Sequence, residues 1–519
     1  MPARIVRKRF AAVAVLLSVV CGAVAPSNAQ SSPGTRAPPP GTLLQSPPEV
    51  LSTYSVPALT LDLRVHPDAE VLTLGGGLRC NVAVQRIRYA TVGAAGEATT
   101  ATAALMVPTG LDRRCRGPRP VLLYAHGTST DRESDIADLR VQKNPEGILM
   151  AVFAARGYIV VAPNYAGYGS STLGYHPYLV ADQQSEDMID ALTAARSALP
   201  VAAAPLTTSN DARLFITGYS QGGHVAMATH RAMQARGMTV TASAPMSGPY
   251  ALAAFGDQIF AGRVNSGSTV TLTMLVAAYQ RAYGDLYSTP GDVFEPQYAS
   301  GIESLLPTTE ARSALYAQGR LPADALFSST PPAATYADVT PATSPAELSP
   351  VFARGFGPAP LIRNSYRLGS LRAAESNPDG GWPTTRDGAP PAAPALALRQ
   401  ALRRNDLRNW TPAAPMLLCG GHADPVVFWS NTLLMEGYWA PRAPASARIS
   451  VLDVDSAATE GDPYAGIKQR FAQARRLVAT AAVLQGATDD GASAVAEAYH
   501  APLVATSCLE AVDDFFAAQ

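Results

Sequence analysis

Short apolar runs alternate with stretches of helical composition, and this alternation restricts the fold more than any other feature of the chain. Strands with such uniformly apolar sequences are typical of parallel sheets, because helices cover both faces of the sheet. Residues 182–197 and 223–236 have the composition of helices, and residues 80–91 and 99–107 resemble the two strands of a hairpin. The pattern predicts an α/β fold with a doubly wound, mostly parallel sheet. The apolar runs are residues 121–124, 158–161, 214–217, 239–242, 416–419 and 448–452.

A long segment, residues 250–412, interrupts the alternation and contains helix-like stretches at 269–283 and 302–318. An insertion that lies between two core strands and carries its own helices is typical of a cap or lid. We therefore expect one α/β core built from residues 58–249 and 413–519, with the cap between the two parts.

The first residues have the organisation of an export signal. Basic residues lead into the apolar run 10–25, which is followed by small residues at Ser27 and Ala29. Residues 1–29 are therefore predicted to be a secretory signal peptide, which implies a secreted or periplasmic protein. An uncleaved anchor is the weaker alternative, because a stable membrane span needs about 20 apolar residues. Residues 30–57 are rich in Pro, Ser, Gly and Thr and are predicted to be a flexible lead-in.

The formal net charge of −1 at pH 7 offers no basic surface for a nucleic acid. Histidine and acidic residues nowhere have convincing metal-ligand spacing, and Gly75-Gly76-Gly77 lacks the strand-and-helix context of a phosphate loop. We therefore expect no nucleic-acid partner, no metal and no phosphate-binding loop. The sequence leaves the oligomeric state open.

Four cysteines follow the export signal, and an even number in an exported chain favours disulfides. No two of them form a CxxC pair, which argues against a structural zinc site. Of the three possible pairings, we predict Cys80–Cys115, between the N-terminal strands and the segment entering the core, and Cys419–Cys508, between a core strand and the C-terminal helix. A buried free Cys419 is the alternative.

The most specific motif is Gly218-Tyr219-Ser220-Gln221-Gly222, which directly follows an apolar run and directly precedes a helical stretch. This is the nucleophile-elbow pattern GxSxG at a strand-to-helix turn. Glycines suit a turn in which a Cβ would collide with neighbouring backbone, and the helix N-terminus favours negative charge near the hydroxyl. A bare GxSxG is usually an ordinary turn, but in this context Ser220 is predicted to be a nucleophile.

A serine nucleophile needs a base, and in hydrolases with this elbow the acid and then the histidine follow the serine along the chain. His422 and His500 are the histidines well beyond the elbow. Asp424 follows the predicted strand 416–419, in a loop from which an acid could orient an imidazole. This leaves His500 as the base, and the predicted triad is Ser220, Asp424 and His500.

The acid is the open part of this prediction. Asp453 and Asp455, after the last predicted strand, are alternative acids. Asp424 could instead belong to an ordinary turn, and His500 could be a surface residue. The helix-like stretch 464–485 separates the last strand from His500 and makes the histidine loop unusually long.

The loop after the first apolar run begins with His126-Gly127-Thr128. In this fold the loop contributes one backbone donor of an oxyanion hole, and the residue after the nucleophile contributes the other. We predict that Thr128 and Gln221 supply these donors, each of which lowers the barrier by about 3–4 kcal/mol. His126 is interpreted as a loop-shaping residue and His224 as a packed residue of the helix after the elbow.

The cap is expected to supply most of an acyl-binding wall, because loops at the carboxyl ends of the strands surround the nucleophile. The candidate residues lie in the helix-like stretch 269–283, although core packing is an equally good interpretation for each. They are Leu272, Met274, Leu275 and Val276.

These motifs make the chain resemble the secreted lipase and esterase branch of the α/β-hydrolase superfamily, near the secretory lipases. The resemblance covers most of the core but little of the insertion, and Asn164 stands where relatives commonly have Asp. It implies acyl-enzyme hydrolysis of a small-molecule or lipid ester without a cofactor. The matching pieces are YAHGT at 124–128, GYIVVAPNYAGYG at 157–169, HPYL at 176–179, GYSQGG around Ser220 and GGHADPVV around Asp424.

Two other functions remain open beside a secreted ester hydrolase. A serine peptidase of the prolyl-oligopeptidase type shares the core and the triad, but the region before residue 121 is too short for the β-propeller that this class usually carries. A non-catalytic binding protein with the same fold is the other possibility. Such proteins typically lose triad members, whereas this chain has a candidate for each.

Overall fold

A computed structural model describes residues 37–64, 77–140, 145–203, 208–444 and 447–519, and the predicted signal peptide lies outside these ranges. Its strands are β1 Glu49–Tyr54, β2 Asn81–Val92, β3 Ala98–Thr109, β4 Gly117–Ala125, β5 Ile159–Pro163, β6 Thr208–Tyr219, β7 Ala242–Met246, β8 Phe327–Ser328, β9 Phe356–Gly357, β10 Met416–Gly420 and β11 Ile449–Asp453. Its α-helices are α1 Val56–Arg64, α2 Pro145–Ala155, α3 Ala181–Ala202, α4 Gln221–Ala235, α5 Leu252–Phe260, α6 Ser268–Tyr283, α7 Pro296–Ala299, α8 Arg312–Ala317, α9 Ser349–Arg354, α10 Asn364–Ser376, α11 Ala397–Asn405, α12 Ser430–Trp439, α13 Ala465–Leu484, α14 Ala492–Ala498 and α15 Ala505–Ala517. Within the described ranges, no helix has both the length and the apolarity that a bilayer span requires.

Nine strands of the described residues form one sheet, in the order β1-β2-β3-β5-β4-β6-β7-β10-β11. The first four are paired antiparallel, and the strands from β5 to β11 are paired parallel. The strand predicted at residues 239–242 begins later, because Ala242 is the first of its residues to pair with β6. The predicted mostly parallel sheet is present, with an antiparallel edge.

Burial on both faces explains why the central strands of the sheet carry the apolar runs. In β4, Leu122 and Tyr124 face a cluster that includes side chains of α2, α13 and α15. Val121 and Leu123 face the opposite cluster, which includes side chains of α3 and α4. Because successive side chains of a strand point to opposite faces, a strand covered on both sides needs apolar residues throughout.

The prediction that residues 30–57 form a flexible lead-in is wrong for residues 49–54. Residues 49–54 form β1, which pairs antiparallel with β2 at the edge of the sheet. Residues 80–91 and 99–107, in contrast, form the predicted hairpin as β2 and β3. An edge strand is held through backbone hydrogen bonds on one side, so its sequence needs little of the apolar periodicity that marks a buried strand.

The insertion between β7 and β10 contains α5 to α11 and has its own cluster of buried apolar side chains. This cluster also includes Leu179, which precedes α3 in the α/β part of the chain. The helix predicted at residues 269–283 is present as α6. The helix predicted at 302–318 is wrong, because a single turn at Ile302–Ser304 and the short α8 replace it. Pro307, between them, lacks an N–H group for a helix, and the Thr308 N–H donates to Thr130 O at 2.9 Å instead.

Both predicted disulfides are present. The Cα atoms of Cys80 and Cys115 lie 5.3 Å apart, and those of Cys419 and Cys508 lie 5.7 Å apart. The first bond ties the start of β2 to the turn before β4. The second ties β10 to α15, which follows His500.

Candidate active site

Ser220 stands at the tip of the turn between β6 and α4. Its φ of 59° and ψ of −121° lie in a region that residues with a side chain rarely adopt, at a cost on the order of 1–3 kcal/mol. The Ser220 N–H donates to Met246 O at 3.0 Å, which ties the strained turn to the end of β7. The residue lines a cavity above the carboxyl ends of the strands.

The glycines on both sides of Ser220 are required by the packing of this turn. A Cβ on Gly222 would lie 1.9 Å from Ala125 O, and a Cβ on Gly218 would lie 2.4 Å from Gly222 O. The close approach of β4, β6 and α4 therefore leaves no room for side chains at these positions, as expected for a nucleophile elbow.

The structure brings His500 and Asp424 together in a buried hydrogen bond. His500 Nδ1 lies 2.7 Å from Asp424 Oδ2, and Asp424 is only 1% exposed. Asp424 Oδ1 accepts hydrogen bonds from the N–H groups of Val426 and Val427 at 2.9 and 3.0 Å. These bonds fix the carboxylate, which in turn holds the hydrogen of the imidazole on Nδ1.

The two alternative acids bind other groups. Asp453 Oδ2 lies 2.8 Å from His422 Nδ1. Asp455 Oδ2 accepts a hydrogen bond from the Tyr499 hydroxyl at 2.6 Å. Among the described residues, neither carboxylate bonds to His500, so the geometry favours the acid that follows β10.

The second ring nitrogen of His500, Nε2, is buried and has no hydrogen-bond partner among the described residues. His500 and Ser220 line the same cavity, although their side chains are not bonded to each other in this arrangement. Tyr219 packs on the imidazole with ring centroids 4.9 Å apart, and its hydroxyl donates to the His500 carbonyl. Burial, and then the charge of Asp424, raise the pKa of Tyr219 well above its usual value, so this hydroxyl keeps its proton.

Thr128 and Gln221 line the cavity together with Ser220. Gln221 is the first residue of α4, so its N–H has no acceptor within the helix. The Thr128 N–H donates to no other group in the described part of the chain. The Gly127 N–H, in contrast, donates to Glu146 at 3.2 Å and is therefore already engaged.

The other histidines of this region have packing contacts. His126 is buried and stacks on Tyr165, with ring centroids 4.2 Å apart, and its Nε2 lies 3.2 Å from Asn164 O. His224 Nε2 lies 2.9 Å from Asn405 O, and burial lowers the pKa of His224 to about 4. These contacts suit the loop-shaping and packing roles expected for the two residues.

A cavity of about 630 Å³ opens above Ser220. Of the four α6 residues considered for an acyl wall, Leu272 and Leu275 line this cavity, whereas Met274 and Val276 pack in the core of the insertion. The apolar lining contributed by the insertion consists of Leu252, Phe255, Ile259, Phe260, Val270, Leu272, Leu275, Leu326, Leu398 and Leu402.

Three further residues, for which the sequence predicts no role, lie in or beside this cavity. They are Tyr219 against His500, Glu146 beside Gly127, and His176 beside Gln221. His176 belongs to the HPYL piece of the resemblance, which is a signal that could have found it. Glu146 belongs to no recognisable motif in the sequence, and only the fold brings it next to Gly127. Within the described ranges, no three His, Cys, Asp or Glu side chains are grouped as a metal site would need.

No family model and no curated protein sequence matches the chain. Solved structures do match it. A mutant form of the rice cell wall degrading esterase LipA from Xanthomonas oryzae is 27% identical, with a TM-score of 0.65 over 93% of this chain and 99% of that chain. A ligand-bound form of the same esterase is 26% identical, with a TM-score of 0.64 over 92% and 98% of the two chains. The chain has the α/β-hydrolase fold and is a carboxylic ester hydrolase.

This α/β-hydrolase also resembles a protein from Legionella pneumophila that is described as a hydrolase. The identity is 19% and the TM-score 0.58, over 79% of this chain and 91% of that chain, so this similarity concerns the fold alone. The match to the esterase extends along nearly the whole chain and includes the insertion. The predicted fold class and the predicted class of enzyme, a carboxylic ester hydrolase, are confirmed.

Proposed function

We propose that this α/β-hydrolase cleaves carboxylic esters through an acyl-enzyme on Ser220, with His500 as the base and Asp424 as the orienting acid. The supporting observation is the arrangement of the His500 ring. Its Nδ1 is bonded to Asp424 at 2.7 Å, while its Nε2 has no partner among the described residues and the residue lines the cavity. A neutral imidazole held in this tautomer accepts a proton at Nε2, as activation of a serine hydroxyl requires.

In the proposed reaction, Ser220 Oγ attacks the ester carbonyl while its proton passes to His500 Nε2. The N–H groups of Thr128 and Gln221 bind the oxyanion, and its collapse expels the alcohol, which takes the proton from His500. Water then attacks the acyl-enzyme and gives its proton to Nε2, which passes it to Ser220 Oγ as the carboxylic acid leaves. Asp424 remains ionised and stabilises the imidazolium. The bond between Ser220 and His500 forms with substrate in place, since hydrogen bonds of this kind often tighten only in the complex.

We also propose that residues 250–412 act as a cap that provides the acyl-binding wall. The apolar lining of the cavity comes largely from this segment, whereas Ser220 and His500 come from the core. An apolar acyl group would bury its surface there, which favours binding by the hydrophobic effect. The proposed substrate is therefore a small-molecule or lipid ester with an apolar acyl group.

Export of the protein is a further part of the proposal. Disulfides persist in oxidising compartments and are rare in the cytosol, and the structure contains two of them. We propose removal of residues 1–29 and a secreted or periplasmic location. Mass spectrometry of the exported protein should then find Gln30 as the first residue, and an exported protein that still begins at Met1 would contradict this.

Labelling with a fluorophosphonate probe tests the nucleophile directly. The wild-type protein should carry the probe on the peptide that contains Ser220, and Ser220→Ala should carry none. Ser266→Ala removes another hydroxyl from the same cavity and serves as the matched control, which should label like wild type. Labelling of a folded Ser220→Ala protein at the wild-type rate would refute the proposed nucleophile.

The substrate class is tested with two chromogenic compounds that share the same acyl group, a nitrophenyl ester and a nitroanilide. The proposal predicts rapid turnover of the ester that depends on Ser220, with slow or undetectable turnover of the anilide. Preference for the nitroanilide would identify a peptidase instead.

A further inference from the structure

We propose that His176 and Tyr178 are positioning residues for the proposed oxyanion hole. The segment 176–178, which we call the clamp, contacts both residues of the hole, Thr128 and Gln221. The inference rests on the proposed function. Thr128 follows β4 and Gln221 follows β6, so the two donors belong to different strand ends. Their separation therefore depends on contacts that join the two ends, and side chains of one short segment reach both residues.

The first contact is between His176 and Gln221. Gln221 Nε2 lies 2.7 Å from His176 Nε2, and His176 Nδ1 lies 3.0 Å from Ala166 O. Because a carbonyl oxygen only accepts, Nδ1 carries the hydrogen, and Nε2 accepts from the Gln221 amide. Both side chains are buried, with His176 3% and Gln221 1% exposed. The side chain of Gln221 is thus anchored directly beside its own backbone N–H.

The second contact is between Tyr178 and Thr128. Their hydroxyl oxygens lie 3.0 Å apart, and Tyr178 is 4% exposed. The Tyr178 ring also packs edge-on against His176, with centroids 6.1 Å apart. The two halves of the clamp therefore support each other, so a shift of one would move the other.

The clamp rests on an aromatic layer. His176 stacks on Tyr165 and lies tilted against Tyr168, with centroids 5.6 and 4.6 Å apart. Gly167 has a φ of +96°, and a Cβ there would lie 2.1 Å from Tyr175 O. Glycine at this position therefore allows the segment to fold back closely onto the layer.

The same aromatic layer also holds the loop that carries Thr128. The Tyr165 hydroxyl donates to His126 O at 3.0 Å, and the Tyr168 hydroxyl donates to Ser129 O at 2.6 Å. The carbonyl groups on both sides of Gly127 and Thr128 are thereby fixed. Backbone donors bind an oxyanion strongly only when they are held in advance at the right positions, and this arrangement supplies that rigidity.

Protonation should not disturb the clamp under ordinary assay conditions. Burial lowers the pKa of His176 to about 3, so the ring stays neutral and keeps its acceptor nitrogen. Burial also raises the pKa of Tyr178 to about 12, so its hydroxyl stays protonated. Loss of the clamp should therefore lower activity by a similar factor across the pH range of an esterase assay.

The test compares Tyr178→Phe and His176→Phe, which keep an aromatic ring and remove the polar contact. A misplaced donor costs less than a missing one, which costs about 100- to 1,000-fold in kcat. We therefore expect kcat to fall about 10- to 100-fold with KM changed little. Binding of a trifluoromethyl ketone, which mimics the tetrahedral oxyanion, should weaken by a similar factor. Tyr279→Phe is the matched control, because its buried hydroxyl donates to Leu179 O in the same region.

Two double-mutant cycles separate positioning from a general loss of packing. Thr128→Val with Tyr178→Phe, and Gln221→Leu with His176→Phe, should each cost little more than the larger single change, because each pair removes one contact. Gln221→Leu keeps the backbone donor, so it also tests the clamp if His176→Phe fails to fold. Additive losses, or kcat values equal to that of Tyr279→Phe, would overturn the clamp. If Ser220→Ala hydrolysed esters as fast as the wild-type protein, the proposed function would be refuted, and not only the clamp.

Discussion

His500 Nδ1 and Asp424 Oδ2 lie 2.7 Å apart, although 76 residues separate the two in the sequence. Between them the chain passes through α12, β11, α13 and α14 before it returns to the cavity. Two contacts hold the two ends of this intervening segment close together. The Ala423 N–H donates to the Tyr499 hydroxyl at 3.1 Å, directly beside the acid and the base, and a disulfide joins β10 to α15.

Asp424→Asn should lower kcat by about 10⁴-fold, because an amide would hold the imidazole in the wrong tautomer. Asp453→Asn and Asp455→Asn are matched controls and should keep most of the activity, since their carboxylates bind His422 and Tyr499. Steady-state kinetics with a soluble nitrophenyl ester check this. A collapse of kcat in Asp453→Asn or Asp455→Asn, with near-normal turnover in Asp424→Asn, would reassign the acid.

Removal of the Cys419–Cys508 disulfide should lower both stability and kcat. The double variant Cys419→Ala/Cys508→Ala should lose about 2–4 kcal/mol of unfolding free energy and also the restraint on α15, which follows His500. Cys80→Ala/Cys115→Ala is the control, because that bond lies at the start of β2 and should affect stability alone. Denaturant unfolding and kcat, measured where both variants are folded, distinguish the two. Equal kcat in both variants would show that the C-terminal bond does not help to position the base.

Leu272→Trp should shift the preference toward short acyl chains. Leu272 is half-buried and lines the cavity, so an indole there would occupy space that a long acyl group needs. We expect kcat/KM for a decanoate ester to fall by an order of magnitude or more, taking about 0.8 kcal/mol for each CH₂ group that loses its burial, with little change for an acetate ester. Leu477→Trp, on the exposed surface of α13, controls for the added ring. Equal losses on both esters would indicate a folding defect.

The buried carboxyl of Asp190 should make stability depend on pH. Burial raises its pKa to about 7, even though the Thr91 hydroxyl donates to it at 2.8 Å. An unfolded aspartate has a pKa of about 3.9, so the folded protein binds this proton more tightly, and stability from this group falls as pH rises from about 4 to 7.

Asp190→Asn removes that titration. The unfolding free energy of the variant relative to wild type should therefore rise across this range, by up to about 1.4 kcal/mol per pH unit. Urea unfolding at pH 5, 6 and 8 measures the difference, with exposed Asp324→Asn as the control for the change in charge. A difference that stays constant with pH would contradict the prediction.

The sheet could be predicted from the sequence, and the candidate triad could be proposed from it, because their signals are local or follow by elimination. Apolar runs mark strands that are buried on both faces, and GxSxG marks a turn whose glycines have no space for a side chain. The base followed from the order of residues in this fold, since His500 is the histidine that remains after Asp424.

The remaining features depend on contacts between distant segments. Residues 302–318 have helical composition, but Pro307 and the pairing of Thr308 with Thr130 divide them. Residues 49–54 form a strand only because the edge of β2 is available to them. The contact between Glu146 and Gly127 likewise joins two segments that no motif in the sequence links.

The insertion forms the crossover between β7 and β10, two neighbouring parallel strands. Parallel neighbours always need a long connection, so lengthening it leaves the pairing of the sheet unchanged. Mutation and recombination within this one contiguous stretch can therefore alter the shape of the cavity while the residues of the proposed triad stay where they are. Sequence divergence among such hydrolases should concentrate in the insertion, so that substrate preference changes while the catalytic chemistry is retained.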